Sequence, residues 1–242
     1  SEYYGPLQKI NNNKIYDTIV FFGSARIKNK IEAEKILKEI DNSASEKQKN
    51  RAKKDLEMSK YYEDARNLSN KLTRWSKNLK SKKSRYIITS GGGGGIMEAA
   101  NRGAKEAGGI SMGLTISLPF EATSNEYLPK ELDLKFHYFF MRKFWFIYLA
   151  KALVVWPGGF GTLDEVMELL TLIQTKKIKK RLPIVLYGTE FWNSVVNWDY
   201  LVDCGTISEE DLDLFIITDS VDESYDYIVK YINEYKLKGP NF

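Results

Sequence analysis

Residues 152–165 read ALVVWPGGFGTLDE, in which an apolar run leads into a glycine-rich turn and then into a helical pattern that continues to Ile173. This order predicts a strand, a turn and a helix. The turn would expose backbone N–H groups at a helix N-terminus, where no intrahelical acceptor exists and the helix dipole is positive. We therefore expect a phosphate to bind at Gly158, Gly159, Gly161 and Thr162.

A second glycine-rich turn lies upstream. The strand-like residues 86–89 lead through Ser90 into five consecutive glycines, and a helical pattern starts at Ile96. The backbone N–H groups of Gly92, Gly93 and Gly94 are the second predicted phosphate contact. Two such turns in one chain predict one extended ligand.

Several apolar runs alternate with helical patterns along the chain, and the first of them, residues 18–22, is followed by Ser24 and Arg26. The alternation predicts one α/β domain over residues 1–242, built on a doubly wound, Rossmann-like parallel sheet in three layers. Ser24 and Arg26 would lie at the edge where such sheets bind their ligands. Residues 28–57 are predicted to be a charged helical insertion near the N-terminus, and residues 1–14 a polar lead-in without an element of its own. The predicted strands are residues 18–22, 86–89, 110–114, 136–140, 152–156, 183–187 and 214–218.

The composition narrows the classes of function. The chain has 36 basic and 32 acidic residues, a near balance that disfavours nucleic acid as a partner and indicates no membrane surface. Its longest apolar stretch, residues 136–156, is interrupted by charged side chains and is not expected to cross a bilayer. Cys204 is the single cysteine and His137 the single histidine, so we expect no metal site, no disulfide and a cytoplasmic location.

The glycine turns fit neither of the common nucleotide fingerprints. Ile96 stands where a dinucleotide-binding turn would need its third glycine, and no Lys-Ser or Lys-Thr pair follows the glycines as in a Walker sequence. We therefore predict no bound NAD and no other cofactor. Glu165 and Arg142 remain as the pair of ionisable residues that could do chemistry beside these turns.

Three segments together resemble one known family. Residues 91–101 (GGGGGIMEAAN), the pair Arg142-Lys143 and residues 157–165 (PGGFGTLDE) are similar to the Lonely guy family of nucleoside-monophosphate phosphoribohydrolases, which were long labelled lysine decarboxylases. The resemblance covers about residues 18–218. It implies hydrolysis of the N-glycosidic bond of AMP or an N6-modified AMP to the free base and ribose 5-phosphate, with Arg142 and Glu165 catalytic. It also implies substrate contacts from Glu121, Asn125 and Lys143, and a homodimer paired through the aromatic helix around residues 144–149.

The residues leave alternatives open. Residues 162–165 also match a capping box, in which Glu165 would reach back to a backbone N–H and need no catalytic role. Glu121 and Asn125 could equally satisfy the backbone of their loop. A non-catalytic carrier of a nucleotide or of the molybdenum cofactor would use the same glycine turns without needing an acidic residue at position 165. The base preference and the role of residues 28–57 are not fixed by the sequence.

Overall fold

The structure is a computed structural model that describes residues 2–41, 43–79, 86–116, 124–179, 182–237 and 239–241. Its seven strands form one sheet in which every neighbouring pair is parallel. All six residues of the first strand are buried, as expected for a sheet covered on both faces. The strands are β1 (Asp17–Phe22), β2 (Tyr86–Ser90), β3 (Ser111–Ile116), β4 (Asp133–Phe136), β5 (Ala150–Val155), β6 (Ile184–Tyr187) and β7 (Ile216–Thr218).

The helices alternate with the strands and give the predicted three-layer α/β fold. None of the described helices is long and apolar enough to cross a membrane. The α-helices are α1 (Tyr4–Asn12), α2 (Lys30–Glu39), α3 (Glu46–Asn78), α4 (Ile96–Glu106), α5 (Phe139–Tyr148), α6 (Phe160–Gln174), α7 (Thr189–Val195), α8 (Trp198–Asp203) and α9 (Val221–Tyr235).

The order of strands across the sheet is β4-β3-β2-β1-β5-β6-β7. The chain therefore moves outward from β1 through β2 to β4, and then returns to β5 on the other side of β1. Phe22 at the end of β1 is paired with Val155 at the end of β5. Ligands of open α/β sheets bind in the crevice where the strand order reverses, outside the carboxyl ends of the strands, and here that crevice lies between β1 and β5.

Several predicted boundaries were wrong. Residues 1–14 were predicted to hold no element, but Tyr4–Asn12 is helical and buries Ile10. Residues 136–140 were predicted to be a strand, but β4 ends at Phe136 and α5 begins at Phe139. The sequence predicts one helix over residues 191–202, but the structure has two short helices there, because the chain leaves helical geometry at Val196.

The predicted insertion of residues 28–57 contains α2 and the first part of α3. Residue 57 does not mark an element boundary, because α3 runs unbroken for 33 residues. Ser45 starts α3 with a capping box to Gln48. The interpretation of these residues as an insertion stays a prediction.

Candidate functional site

Backbone hydrogen bonds join the turn after β1 to both glycine-rich turns. The Ser24 N–H donates to the Pro157 carbonyl oxygen at 3.0 Å, and the Ile96 N–H donates to the Ser24 carbonyl oxygen at 3.1 Å. The Ser24 hydroxyl oxygen accepts from the Arg26 N–H at 3.1 Å. Ser24 thus fixes where the helices α4 and α6 begin relative to each other.

A cavity of about 530 Å³ opens at this junction, at the crevice between β1 and β5. Its size is within the usual range for a small-molecule site. The cavity brings together seven of the residues that the sequence singled out for binding or catalysis, namely Ser24, Arg26, Arg142, Gly159, Gly161, Thr162 and Glu165.

The glycine-rich turn after β5 ends in the N-terminus of α6. Gly159 is the N-cap residue and no side chain caps the helix, so the N–H groups of its first turn have no partner from a capping side chain. Gly158 is packed so tightly that a Cβ atom there would overlap the side chain of Thr162. The first residues of α6 line the cavity, so the N-terminus of this helix borders it, as the anion prediction requires.

The capping-box interpretation of residues 162–165 was wrong. Because Gly159 occupies the N-cap, Thr162 is already the third residue of the helix and Glu165 lies in its second turn. Glu165 therefore cannot reach back to an N-cap N–H of Thr162. Its side chain lies in the cavity instead.

The carboxyl group of Glu165 is buried without full hydrogen bonding. Its exposed fraction is 5%, and its Oε2 atom has no hydrogen-bond partner among the described residues. Burial raises the pKa of Glu165 to about 7, although the positive charges of Arg142 and Lys143 act in the opposite direction. A carboxyl group that titrates near neutral pH inside a cleft can both take and give a proton, which makes it a candidate catalytic group.

Arg142 reaches the cavity from α5. A Cβ atom on Gly91 would stand 3.8 Å from the Arg142 Nη2 atom, so the guanidinium lies beside the second glycine-rich turn. The guanidinium carbon lies 5.4 Å from the ring centre of Phe146 and 5.9 Å from that of Phe139. These aromatic faces stabilise the cation and orient it. α5 thus places a permanent positive charge in the same cavity as Glu165.

Lys143, the neighbour of Arg142, does not line this cavity. Its ammonium group lies 2.7 Å from both the Asp164 Oδ2 and the Glu168 Oε2 atoms, and its side chain is 15% exposed. Burial lowers the pKa of Lys143, but the hydrogen bonds with these two carboxylates outweigh it and raise the pKa above its usual value. The geometry assigns to Lys143 a link between α5 and α6, rather than the substrate contact that the resemblance implied.

The second glycine-rich turn contributes less to the cavity than predicted, since Gly91 is its one member among the described cavity residues. The Gly92 N–H donates to the Ser90 hydroxyl at 3.1 Å and is therefore already occupied. The Asn125 Nδ2 group donates to the carbonyl oxygens of Gly92 and Gly93, each at 3.0 Å. Asn125 thus holds the glycine turn. Its Oδ1 atom also accepts from the Tyr127 N–H at 3.1 Å, which satisfies the backbone of its own loop, as the open alternative stated. Gly93 and Gly94 do not line the cavity, and Glu121 lies outside the described residues.

The cavity also contains apolar side chains that the sequence analysis did not select, namely Met97, Phe146 and Phe160. Phe160 is the first residue of α6, and 92% of its surface is exposed. A large aromatic residue at the first position of α6 was visible in the sequence. The glycine-turn pattern did not indicate it, because a phenylalanine side chain has no hydrogen-bond donor for a phosphate.

The aromatic helix α5 is covered more than the sequence suggested. Trp145 and Phe146 are each 1% exposed, so their side chains are not on the surface of the chain for the pairing that the resemblance implied around residues 144–149. Tyr3 covers part of this helix, with its ring centre 5.6 Å from that of Trp145. The exposed aromatic side chains lie instead at the start of α5 and just before it, at Tyr138, Phe139 and Phe140.

A comparison with known protein families places the chain in one of them. A family model described as "Possible lysine decarboxylase" matches residues 97–228, which contain Arg142, the PGGFGT segment and Glu165. The chain belongs to this family. The description carries the older label of the Lonely guy proteins that the three segments resemble.

Solved structures share the fold at low sequence identity. The molybdenum cofactor carrier protein of Chlamydomonas reinhardtii is 16% identical, with a TM-score of 0.50, and the match covers 90% of this chain and 99% of that one. An X-ray structure of a structural genomics target is 20% identical with a TM-score of 0.49, over the same shares of the two chains. No curated protein sequence matches the chain.

Proposed function

We propose that this protein hydrolyses the N-glycosidic bond of a nucleoside 5′-monophosphate, AMP or an N6-modified AMP, to give the free base and ribose 5-phosphate. The observation that carries the proposal is the buried carboxyl group of Glu165 in the cavity at the sheet crevice. Its Oε2 atom has no hydrogen-bond partner in the described part of the chain, and its pKa is raised to about 7. Glycosidic hydrolysis needs such a group beside the sugar carbon that becomes positively charged.

The 5′-phosphate would bind at the N-terminus of α6, where Gly161 and Thr162 line the cavity and the backbone donors of the first turn are uncapped. Ser24, at the junction of the three turns, lines the same cavity. Because Glu165 follows Thr162 by three residues on the same helix, a phosphate held at the start of α6 fixes the distance from the sugar to the carboxyl group. Binding energy from the phosphate would thus position the reacting bond.

The reaction balances with one water molecule. The water oxygen bonds to C1′ as the bond from C1′ to the base nitrogen breaks, and the electron pair of that bond leaves with the base. Ionised Glu165 stabilises the positive charge that develops on the ribose and accepts the proton that the water loses. The proton that Glu165 accepts is returned through solvent to the departing base, so the products are a neutral base and ribose 5-phosphate, and Glu165 is ionised again.

Arg142 would act through its charge. A guanidinium stays protonated in proteins, so it donates hydrogen bonds to the substrate rather than a proton. Its positive charge also counteracts the effect of burial on the pKa of Glu165, and so keeps part of that carboxyl group ionised near neutral pH. The same residue thereby serves substrate binding and the ionisation of the catalytic group.

A non-catalytic carrier is the alternative, and the named neighbour of similar fold is a molybdenum cofactor carrier protein. A carrier has no need for a buried carboxyl group with an unpaired oxygen in its anion site, because such a group repels an anionic ligand when ionised. A decarboxylase that used a Schiff-base lysine would need a lysine with a lowered pKa. Lys143 has a raised pKa and two carboxylate partners, which disfavours it for that role.

The test is incubation of the purified protein with a panel of nucleoside 5′-monophosphates, followed by chromatography for free base and an assay for ribose 5-phosphate. We expect stoichiometric release of both products from AMP or from an N6-substituted AMP. Tight binding of the nucleotides without release of either product would favour the carrier.

A further inference from the structure

A second cavity, of about 350 Å³, lies on the other side of the turn that precedes α6. The first part of α3, inside the predicted insertion, forms one of its walls. Four cationic side chains and one carboxylate line it, namely Arg26, Lys28, Arg51, Lys54 and Asp55. The lining therefore carries an excess of positive charge, which is the electrostatic environment of an anion site.

Asp55 holds two of these cations in place. Its Oδ1 atom lies 2.8 Å from the Arg51 Nε atom, and its Oδ2 atom lies 3.6 Å from the Lys28 Nζ atom. The Asp55 side chain is 12% exposed, whereas that of Arg51 is 65% exposed. A carboxylate fixed in the wall thus positions cations that still face solvent, and this lowers the entropic cost of ordering them around a ligand.

Lys54 is the other cation that α3 supplies. It is paired with Glu57 at 2.7 Å, but both side chains are more than half exposed. An exposed ion pair of this kind is weak, so a multiply charged anion can compete for the lysine. Glu57 itself does not line the cavity.

The second cavity adjoins the candidate active site. Ser24 and Arg26 line both cavities, while Gly158 faces the second and Gly159 the first. One short turn therefore separates the α6 N-terminus, where the first phosphate would bind, from the cations of α3. Because Ser24 and Arg26 line both cavities, a ligand that passes Ser24 contacts both of them.

We propose that this second cavity binds the second phosphate of a nucleoside 5′-diphosphate whose first phosphate lies at the N-terminus of α6. The inference rests on the proposed function, because it uses the same position for the nucleotide. It gives the charged part of α3 a role, which is to make the site prefer nucleotides that carry a 5′-diphosphate over those that carry a single phosphate.

The experiment is calorimetric titration of the full chain with AMP and with ADP, in a Glu165→Gln background that prevents turnover. We expect ADP to bind about tenfold more tightly than AMP, because one additional charge-assisted hydrogen bond contributes a gain in affinity of about this size. Arg51→Gln combined with Lys54→Gln should remove this advantage and leave the AMP affinity unchanged. Lys53→Gln is the matched control, since Lys53 is an exposed residue of the same helix outside the described lining of both cavities.

Two results would overturn the inference while leaving the proposed function intact. They are equal affinities for AMP and ADP, and an ADP advantage that persists in the Arg51→Gln, Lys54→Gln variant. If neither nucleotide binds, the proposed function and this inference both fail. Circular dichroism of each variant checks that α3 is still folded.

Discussion

Ser24 donates its backbone N–H to the carbonyl oxygen of Pro157 at 3.0 Å, and so ties the end of β1 to the turn that starts α6. These two turns meet where the strand order of the sheet reverses. The α6 N-terminus is thereby held at a fixed position above the sheet rather than on a loose loop. A phosphate bound there would be a rigid reference point for the rest of the ligand.

The phosphate should therefore be required for turnover. If the α6 N-terminus holds the 5′-phosphate, its binding energy orients the ribose beside Glu165, and adenosine should lose kcat as well as affinity. We expect kcat/KM for adenosine to be lower than that for AMP on the order of a hundredfold or more. Parallel assays of base release from the two substrates measure this. Equal turnover of adenosine and AMP would remove the phosphate from the proposal.

Arg142→Gln should change the pH profile as well as the rate. Burial raises the pKa of Glu165, and the positive charges of Arg142 and Lys143 lower it. Without the guanidinium only Lys143 of these two cations remains, so the pKa should rise further above its usual value. In a plot of kcat/KM against pH, we expect a rising limb near pH 7 for the native protein. In Arg142→Gln this limb should move to higher pH, and kcat should fall on the order of tenfold to a hundredfold. Arg142→Lys keeps the charge and should restore the position of the limb. A limb that stays at the same pH in Arg142→Gln would contradict the electrostatic role.

The buried Glu165 should make stability depend on pH. Its folded pKa of about 7 lies above the usual 4.5, so the folded state binds more protons between these values, and stability falls as the pH rises through this window. Above pH 7 the loss is complete, at roughly 3 kcal/mol as an upper bound. Glu165→Gln lacks this titration, so its Tm should exceed that of the native protein by a margin that grows from pH 4.5 to pH 7 and then levels off.

Asp164→Asn is the control for this measurement. Asp164 is the neighbouring residue of the same helix, but its side chain is 59% exposed and it lies outside the described lining of the cavity. Its charge has the smallest of the named effects on the Glu165 pKa, so its Tm difference from the native protein should change much less between pH 4.5 and pH 7 than that of Glu165→Gln. Thermal unfolding followed by circular dichroism at several pH values gives both comparisons. A constant difference in Glu165→Gln would show that Glu165 is not buried as an acid with a raised pKa.

The parallel sheet and the site at its carboxyl edge could be predicted because their signals are local. Apolar runs such as residues 152–155 specify buried strands, and a glycine turn before a helix specifies backbone donors wherever the chain places it. The residue at which α6 begins, in contrast, is not decided by the local sequence. Whether Gly159 or Thr162 is the N-cap depends on where the chain leaves the sheet, and that choice decided between a capping and a buried position for Glu165.

Two other features differ from the sequence predictions, namely the helix Tyr4–Asn12 and the burial of aromatic side chains on α5, and both result from the same tertiary packing. Residues 1–14 have no strong pattern of their own, and the helix around residue 145 has aromatic side chains on several sides. The structure packs one against the other: Tyr3 contacts the ring of Trp145, whose Nε1 atom donates to the carbonyl oxygen of Glu2 at 3.1 Å. Contacts between segments about 140 residues apart leave no periodic signal in either segment.

The protein should form a homodimer or a higher oligomer. Tyr138, Phe139 and Phe140 are 62%, 53% and 66% exposed, and together with Phe160 they place a patch of aromatic surface beside the site. We expect light scattering at micromolar concentration to give at least twice the monomer mass. Phe139→Ser with Phe140→Ser should shift the assembly toward monomer, whereas Tyr200→Ser, at an exposed tyrosine on α8, should not. A native protein that is monomeric under these conditions would contradict the prediction.

The most direct test of a catalytic Glu165 is the release of ribose 5-phosphate from AMP by the native protein and by Glu165→Gln and Asp164→Asn. A neutral amide can neither accept the water proton nor stabilise a ribosyl cation, so Glu165→Gln should lose kcat by on the order of a hundredfold or more. It should still bind AMP, because the phosphate donors are backbone groups, and Asp164→Asn should keep near-native activity. Native turnover in a folded Glu165→Gln protein would contradict the catalytic assignment.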